Sequence, residues 1–421
     1  MKIDKSILIE KSRQYAQAVL NGEFDIITAN MNDVLAPQLN ASVLRQSWDS
    51  VTKELSACQG IMSADYMEIQ GIDVVMVMLD YTSSRLRIAF GYDNDGKVSR
   101  LSVNYAPSAH TQAEQSDKFN EMPIKVGDPQ YPLDGMLTTT KATAVVPMVI
   151  LVHGSGSSDM NETIGSAGNA VFADLAHGLA ERGIASIRYN KRYYQYPQKA
   201  TQTLTVWDEV INDANAAIEL ARKTDGIDEN KIFIIGHSLG GMLAPEIAKE
   251  NTDIAGFVSL AGSPRKLEDI ILDQNKAAIA VMNNTTIEKK AIWDSVLTLV
   301  NQVKAIRPES PHVTILNMNS EYWLSLNQTN AADIVVSIAI PMLFLQGGAD
   351  FQVSPEADFA LWQKLLKGHK DAQFKLYPGL NHLFMKSNGK ADLSEYNTKA
   401  NVEAQVIADI AGWIHLICQQ Q

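Results

Sequence analysis

A Gly-x-Ser-x-Gly pattern surrounds Ser238, at the point where an apolar, β-branched run ends and a helical pattern begins. Glycine on both sides of a serine permits a strained turn between a strand and a helix, because side chains at Gly236 and Gly240 would collide with neighbouring elements. Such a turn presents the Ser238 hydroxyl and puts the N–H of Leu239 at the helix start, where it can stabilise an oxyanion. The pattern predicts a nucleophile elbow, although five residues of this kind also occur in ordinary turns.

Two later segments supply the residue types that a serine nucleophile requires. Asp350 follows an apolar run and a Gly-Gly turn, and His382 follows a similar run and a Pro-Gly turn. A serine hydroxyl needs a base to take its proton, and a histidine base needs an acid to orient it. Functional groups gather at the carboxyl ends of parallel strands, so we expect Ser238 to attack, His382 to transfer the proton and Asp350 to orient the imidazole. Each residue alone could serve only a turn, so the prediction depends on their joint order.

A second oxyanion donor is expected in the loop His153-Gly154-Ser155-Gly156, which follows an earlier apolar run. The N–H of Ser155 is the preferred donor and that of Gly156 is the alternative. We expect His153 to hold the loop through a hydrogen bond rather than to act as a base. Together, the loop and the elbow predict an oxyanion hole formed by the N–H groups of Ser155 and Leu239.

Two further groups of residues could contact a substrate. The basic stretch at 188–192 could bind an anionic group, but we expect it to form ion pairs with Asp159 or Glu162 in the preceding loop. Aromatic residues beside the acid and in a later helical region could line an acyl or alcohol pocket, or could form the core of that region. These pocket candidates are Tyr322, Trp323 and Phe351.

Strand and helix patterns alternate from residue 145 onward. This alternation predicts an α/β fold, with a mostly parallel sheet and helices on both faces. A hairpin at 123–126 and 133–140 is expected to open the sheet, and a helical cap is expected at about 263–336, a segment too long for a plain connection. The expected strands are 149–152, 185–189, 232–235, 256–260, 342–346 and 374–377, and the expected helices are 171–182, 205–223, 242–250, 356–366 and 402–417.

The first 106 residues show a different pattern, in which helical segments precede apolar strands. This order predicts a small N-terminal α+β domain at 1–106, followed by the α/β domain at 107–421. Residues 106–116, rich in Pro, Ser, His and Gln, are the expected linker. The expected helices are 6–20, 23–30 and 42–55, and the expected strands are 74–79, 86–92 and 98–103, the last two joined by an Asp-Asn-Asp-Gly turn.

Charge and composition exclude several classes of protein. A net charge of −12 without a long basic segment argues against nucleic-acid binding. The two cysteines, Cys58 and Cys418, are far apart and offer neither a disulfide framework nor a metal-ligand spacing. The N-terminus lacks the apolar core of a signal peptide and no apolar run has membrane-spanning length, so we expect a cytoplasmic protein unless an export signal was removed.

The residues around the predicted triad resemble the α/β-hydrolase superfamily over about residues 145–413. Within it, the segments 153–165 (HGSGSSDMNETIG), 321–324 (EYWL) and 374–384 resemble a bacterial carboxylesterase group that has an extra N-terminal domain. The resemblance implies the same triad and oxyanion N–H groups, and activity on short-chain acyl esters. The N-terminal α+β domain resembles, in architecture, the cone-shaped nuclear-transport-factor-like domains found in front of some bacterial hydrolases.

The expected function is therefore that of a serine carboxylesterase, which forms an acyl-enzyme on Ser238 and hydrolyses it with water activated by His382. The same triad could instead transfer the acyl group to an amine or alcohol, or cleave a thioester. A non-catalytic binding module is a third interpretation, which an intact triad disfavours. We expect a small-molecule ester as the partner, no cofactor, no nucleic acid and no membrane span, and the N-terminal domain could mediate homo-oligomerisation.

Overall fold

The computed structural model describes residues 3–37, 39–52, 55, 57–69, 71–81, 84–106, 113–114, 116–141, 144–199, 204–282, 285–316 and 318–420. These described residues fall into two compact units, one from Met1–Gln112 with Pro197–Thr201 and one from Ala113–Tyr196 with Gln202–Gln421. Each unit has its own sheet and its own hydrophobic core. Most of the predicted linker, residues 107–112 and 115, lies outside the described residues.

In the described part of the first unit, three helices precede a four-stranded antiparallel sheet whose strands follow chain order. One face of the first helix packs on the sheet through Leu8, Tyr15 and Val19, and Ser12 and Tyr92 share a buried hydrogen bond of 2.5 Å. The elements are α1 (Lys5–Leu20), α2 (Phe24–Thr28), α3 (Ala41–Thr52), β1 (Cys58–Ile69), β2 (Ile72–Tyr81), β3 (Ser84–Tyr92) and β4 (Val98–Ala106).

The sequence analysis predicts no strand at Cys58–Ile69, and it is wrong there, because these residues form β1. This strand lies at the edge of the sheet, pairs with β2 and with no other described strand, and buries only Ala64 among its residues. Polar residues such as Asp65 and Glu68 interrupt its apolar alternation, and the interruption is tolerated because nearly all side chains of this strand are at least partly exposed to solvent. The predicted Asp-Asn-Asp-Gly turn is confirmed, and the Asp93 carboxylate there accepts the N–H groups of Asp95 and Lys97.

Among the described residues of the second unit, eight strands form one sheet in the order β16-β15-β12-β11-β7-β10-β6-β5. The predicted hairpin, β5 and β6, lies at one edge, and both the β5–β6 and the β6–β10 pairs are antiparallel. All neighbouring pairs from β10 to β16 are parallel. The strands of this unit are β5 (Phe119–Val126), β6 (Leu133–Thr140), β7 (Val146–Val152), β8 (Thr163–Ile164), β9 (Asn169–Ala170), β10 (Ala185–Tyr189), β11 (Ile227–His237), β12 (Gly256–Leu260), β13 (Thr314–Ile315), β14 (Met318–Asn319), β15 (Met342–Gly347) and β16 (Ala372–Tyr377).

Helices cover both faces of this sheet because successive strand residues point to opposite sides. Val149 and Leu151 face one core, and Met148 and Ile150 face the other. Helices α6 and α12 each continue from a π-helical turn, at Trp207–Ile211 and Pro355–Phe359. The helices are α4 (Val171–Ala180), α5 (Arg192–Gln195), α6 (Asn212–Arg222), α7 (Leu239–Glu250), α8 (Leu267–Val281), α9 (Thr286–Ala305), α10 (Ser320–Gln328), α11 (Ala331–Val335), α12 (Ala360–Leu365) and α13 (Ala404–Gln420).

Helices α8 to α11 and the β13–β14 hairpin form the insertion between β12 and β15 that the sequence predicts at about 263–336. Helix α9 begins at a reciprocal cap, in which Thr285 and Glu288 each bond the other's backbone. The insertion has a small core of its own around Val303, Ile315 and Trp323. Among the described helices, none combines the length and the hydropathy that a bilayer crossing requires.

A buried ion cluster joins the antiparallel edge of the sheet to its interior. Glu121 on β5 accepts hydrogen bonds from Arg188 (2.6 Å) and His177 (2.8 Å), and its side chain is 1% exposed. Burial alone would raise the pKa of Glu121, but the hydrogen bond from His177 and the charge of Arg188 lower it to about 2. The carboxylate therefore stabilises the fold only while it is ionised.

We expect replacement of Glu121 by Gln to destabilise this unit in a pH-dependent way. A carboxyl group whose folded pKa is below its unfolded value stabilises the protein above the unfolded pKa, about 4.5, and loses that contribution as the pH falls towards 2. The gap in unfolding free energy between wild type and Glu121→Gln should be on the order of 3 kcal/mol at pH 7 and about half of that near pH 3. Urea unfolding at both pH values measures it.

The matched control is Glu309→Gln, since Glu309 is exposed. Its unfolding free energy should follow that of wild type at both pH values. A gap for Glu121→Gln that stays constant between pH 7 and pH 3 would contradict the pKa argument.

Candidate active site

Ser238 occupies the sharp turn between the end of β11 and the start of α7. Its φ of 53° and ψ of −114° are rare for a residue with a side chain. Close packing explains the flanking glycines, because a Cβ at Gly240 would stand 2.1 Å from the carbonyl oxygen of Val152 and one at Gly236 would stand 2.2 Å from that of Gly240. The Ser238 N–H donates to the carbonyl of Leu260 at 2.8 Å, which fixes the turn to the neighbouring strand.

His382 and Asp350, which follow the adjacent strands β16 and β15, are hydrogen-bonded to each other. Nδ1 of His382 donates to Oδ2 of Asp350 at 2.7 Å, and both side chains are buried. The same carboxylate accepts Nε2 of Gln346 at 2.8 Å and the N–H groups of Gln352 and Val353. This arrangement holds the imidazole with Nδ1 protonated and leaves Nε2 as the nitrogen that can take a proton.

A second buried acid–histidine pair lies directly behind the elbow, and sequence reasoning missed it. Nδ1 of His237 lies 2.9 Å from Oε2 of Glu162, and Nε2 of His237 contacts the backbone carbonyl of His382 at 3.0 Å. Burial alone would lower the pKa of His237, but the Glu162 carboxylate raises it. Conversely, burial alone would raise the pKa of Glu162, but the interaction with His237 lowers it. The pair ties the residue before Ser238 to the backbone of His382.

The loop after β7 runs beside the elbow. A Cβ at Gly154 would stand 3.1 Å from that of Ser238, so the backbone of the loop lies against the serine. The Gly154 N–H donates to Oε1 of Glu162 at 2.8 Å. Within the part of the chain that the structure describes, no hydrogen bond occupies the N–H of Ser155 or of Leu239, so both N–H groups are available to an oxyanion, as a hole requires.

His153 lies in the same loop and is buried. Its Nε2–H donates to the carbonyl of Asp159 at 2.8 Å, which is the loop-holding contact that the sequence predicts. Burial lowers the pKa of His153 to about 4; the charge of Glu162 opposes this shift and that of Lys191 adds to it. The imidazole is therefore neutral near pH 7 and serves the loop as a hydrogen-bond donor.

The basic stretch at 188–192 forms ion pairs, but with other acids than the sequence predicts. Arg188 bonds Glu121, Lys191 bonds Glu209 at 2.6 Å, and Arg192 bonds Asp213. The predicted partners Asp159 and Glu162 are wrong, because Glu162 faces His237 and the carboxylate of Asp159 accepts N–H groups of its own loop. The actual acids come from β5, from the π-helical turn before α6 and from α6 itself, which only the folded chain brings near.

The three pocket candidates lie in different surroundings. Tyr322 is buried with its hydroxyl 2.5 Å from Oε2 of Glu209, and Trp323 is fully buried in the core of the insertion, where its indole N–H donates to Ile315. Phe351, next to the acid, is half-buried and stacks on Tyr396 with ring centroids 5.7 Å apart. Their role in binding a substrate stays a prediction.

Comparison with known proteins assigns the chain to a family. A family model described as serine aminopeptidase, S33 (Hydrolase_4) matches residues 145–388, more than half of the chain. Esterase EstD of Thermotoga maritima is 30% identical over 403 residues, which cover 95% of this chain and 93% of that protein. The chain belongs to this family of α/β hydrolases. Its enzyme class is that of a carboxylic ester hydrolase, and the resemblance to the bacterial carboxylesterase group is confirmed.

Two solved structures are among those to which the chain is similar. Est1E from Butyrivibrio proteoclasticus superposes with a TM-score of 0.44 at 14% identity, over 70% of this chain and 99% of that one. The Pyrococcus furiosus esterase PF2001 gives a TM-score of 0.44 at 14% identity, over 71% of this chain and 91% of that one. A second family model, described as a protein of unknown function (DUF3887), matches residues 12–101 of this hydrolase.

The packing of the elbow predicts that Gly240→Ala prevents folding of the hydrolase unit. The added methyl group would meet the backbone of Val152, which cannot move without displacing β7. We expect a loss of about 3 kcal/mol or more, with little soluble or active protein. The measurements are the thermal unfolding midpoint and ester hydrolysis.

Gly412→Ala in α13 is the matched control, since its position is exposed and nothing lies within 4 Å of its Cβ. Alanine is a better helix former than glycine, so this variant should be as stable as wild type or up to about 1 kcal/mol more stable. A Gly240→Ala variant with the same thermal unfolding midpoint as wild type would show that the close approach of α7 to β7 is not needed for folding.

Proposed function

We propose that this hydrolase cleaves short-chain carboxylic esters through an acyl-enzyme on Ser238, with His382 as the base and Asp350 as the orienting acid. The observation that carries the proposal is the 2.7 Å hydrogen bond between His382 and Asp350 at strand ends that share an edge with the strained elbow. The nucleophile, the acid and the base occur in the chain order Ser, Asp, His that this fold uses.

In the first half of the reaction, Oγ of Ser238 attacks the ester carbonyl while Nε2 of His382 takes its proton. The carbonyl oxygen becomes an oxyanion that accepts hydrogen bonds from the N–H groups of Ser155 and Leu239. The intermediate then collapses, the bond to the alcohol oxygen breaks, and the imidazolium returns the proton to the leaving alcohol. Asp350 stabilises the charged imidazolium throughout this half-reaction.

In the second half, His382 takes a proton from water as the water oxygen attacks the acyl group on Ser238. The same two N–H groups stabilise the second oxyanion. Collapse of this intermediate breaks the bond to Oγ, which regains its proton from the imidazolium and releases the carboxylic acid. The free enzyme is restored, and one water molecule is consumed for each ester cleaved.

The position of the helical insertion supports a preference for small acyl groups. Nε2 of Gln274 on α8 donates to the carbonyl of Gln352, two residues after the acid, at 2.8 Å. On the other side, Tyr322 of α10 bonds Glu209 just before α6. We infer from these two attachments that the insertion limits the volume open to an acyl chain at the strand ends.

Replacement of Ser238 by Ala should abolish turnover of p-nitrophenyl butyrate, lowering kcat by roughly 10⁴-fold or more because no acyl-enzyme can form. Labelling by a fluorophosphonate should disappear with it. The control is Ser295→Ala on the exposed side of α9, which should react like wild type. Unchanged turnover by the Ser238 variant would refute the proposed mechanism.

Asp350→Asn tests the role of the acid. An amide in place of the carboxylate can hold the ring in the other tautomer, which leaves Nε2 protonated and unable to act as a base. We expect kcat to fall by about 10³- to 10⁴-fold with KM within a few fold of wild type. A variant that retains more than about a tenth of wild-type kcat would exclude Asp350 as the orienting acid.

A series of p-nitrophenyl esters from acetate to palmitate tests the substrate class. We expect kcat/KM to be highest between two and six acyl carbons and to fall at least about tenfold by twelve, because longer chains exceed a restricted pocket. Product analysis with added alcohol or amine separates hydrolysis from transfer. A profile that rises with chain length, or a product dominated by the acceptor, would contradict the proposal.

A further inference from the structure

The peptide group between Gly154 and Ser155 is bonded to a buried lysine. Nζ of Lys191 donates to the carbonyl oxygen of Gly154 at 2.8 Å, and the lysine is 3% exposed. This carbonyl belongs to the same peptide group as the N–H of Ser155. Because a trans peptide is planar, its N–H points away from its carbonyl, so a bond that fixes one end of the group also aims the other.

Lys191 is itself held by a chain of bonds that ends in the helical insertion. Its Nζ lies 2.6 Å from Oε1 of Glu209, which belongs to the π-helical turn before α6. The other oxygen of Glu209 accepts the hydroxyl of Tyr322 on α10 at 2.5 Å. π-Helical turns are often found at functional sites, and this one directs a carboxylate at both partners.

We propose that Lys191 is a positioning residue for the oxyanion hole, and that Glu209, which is itself bonded by Tyr322 of the helical insertion, holds Lys191 there. The proposal rests on the proposed function, because it takes the N–H of Ser155 as an oxyanion donor. Tyr322 in this arrangement acts on the loop through Glu209 and Lys191.

Two physical effects follow from the Lys191 bond. A cation at a carbonyl oxygen withdraws electrons from the peptide, which makes the N–H at its other end a stronger donor to a developing oxyanion. The bond also removes the freedom of the peptide to turn, since the preceding N–H of Gly154 is fixed to Glu162 at 2.8 Å. Both peptide groups that flank Gly154 are thus anchored by buried, ionisable side chains before substrate binds.

An ion pair between Lys191 and Glu209 could exist for stability alone, and the neighbouring Arg192 provides the comparison. Arg192 bonds Asp213 on α6 in the same way, but it contacts no part of the 153–156 loop among the described residues. A purely structural role would make variants at the two positions behave alike. A positioning role separates them, because only Lys191 bonds the Gly154 carbonyl.

The experiment compares Lys191→Met, Tyr322→Phe and Arg192→Met in the full-length chain. Steady-state kinetics on p-nitrophenyl butyrate gives kcat and KM, a trifluoromethyl ketone that forms a hemiketal oxyanion reports on the hole, and thermal unfolding reports on stability. Removal of a direct oxyanion donor costs about 10²- to 10³-fold in kcat.

We expect a loss of about 10- to 100-fold in kcat for Lys191→Met, since the donor is kept but is no longer polarised or fixed. KM should stay within about threefold, and the inhibitor should weaken by the same factor as kcat. Tyr322→Phe keeps its packing and loses only the hydroxyl, so a smaller change of about three- to tenfold in the same direction is expected. Lys191→Arg, which restores a donor to the carbonyl, should recover part of kcat.

Arg192→Met should lower the unfolding midpoint while kcat and inhibitor affinity stay within about threefold of wild type. A folded Lys191→Met variant with wild-type kcat, or equal kinetic losses for Lys191→Met and Arg192→Met, would overturn the inference. If Lys191→Met does not fold, Tyr322→Phe with wild-type kcat and inhibitor affinity would overturn it. Failure of the mechanism itself is distinguishable, because it would appear as turnover by Ser238→Ala.

Discussion

The arrangement of the site depends on one close approach, that of the first turn of α7 to the end of β7. At Gly240 the helix comes so near to the Val152 carbonyl that a single methyl group would stand 2.1 Å from it. A helix that starts this close to the strand leaves Ser238 no ordinary backbone conformation, and its φ of 53° is the result. The Gly154 backbone also lies against the serine, so the loop after β7 and the elbow are held side by side by packing.

Around this contact the protein buries several charges, and each of them has a partner. Glu162 faces His237, Lys191 faces Glu209, and Asp350 faces His382. Buried pairs of this kind contribute little net stability, because desolvation offsets the attraction, but they cost a great deal when one partner is lost. Their consequence here is geometric. Glu162 and Lys191 each bond one end of the backbone around Gly154, so the loop has little freedom beside the elbow.

The two buried histidines near the elbow, His153 and His237, have pKa values that are shifted in opposite directions. His153 has a pKa of about 4 and is neutral, whereas the pKa of His237 is raised by Glu162. Burial lowers the pKa of both imidazoles and the Glu162 carboxylate raises both, but only His237 lies within 2.9 Å of that carboxylate, so Glu162 has the stronger effect on His237. The Glu162 carboxylate thus favours the charged form of His237, while His153 remains an uncharged donor in the adjacent loop.

Local patterns in the sequence were enough to predict the strands at 185–189 and 256–260 to the residue, and the chain order of the proposed triad. Apolar periodicity and glycine spacing are local properties, set by burial and by backbone sterics, and a single chain carries both. The tertiary structure alone decided the partners of the buried charges: the acids near residues 188–192 come from β5, from the turn before α6 and from α6 itself, not from the adjoining loop. The tertiary structure also decided that β1 joins the first sheet, although only one of its side chains is buried. Ion pairing and strand pairing depend on which segments meet in space, and no period in the sequence records that.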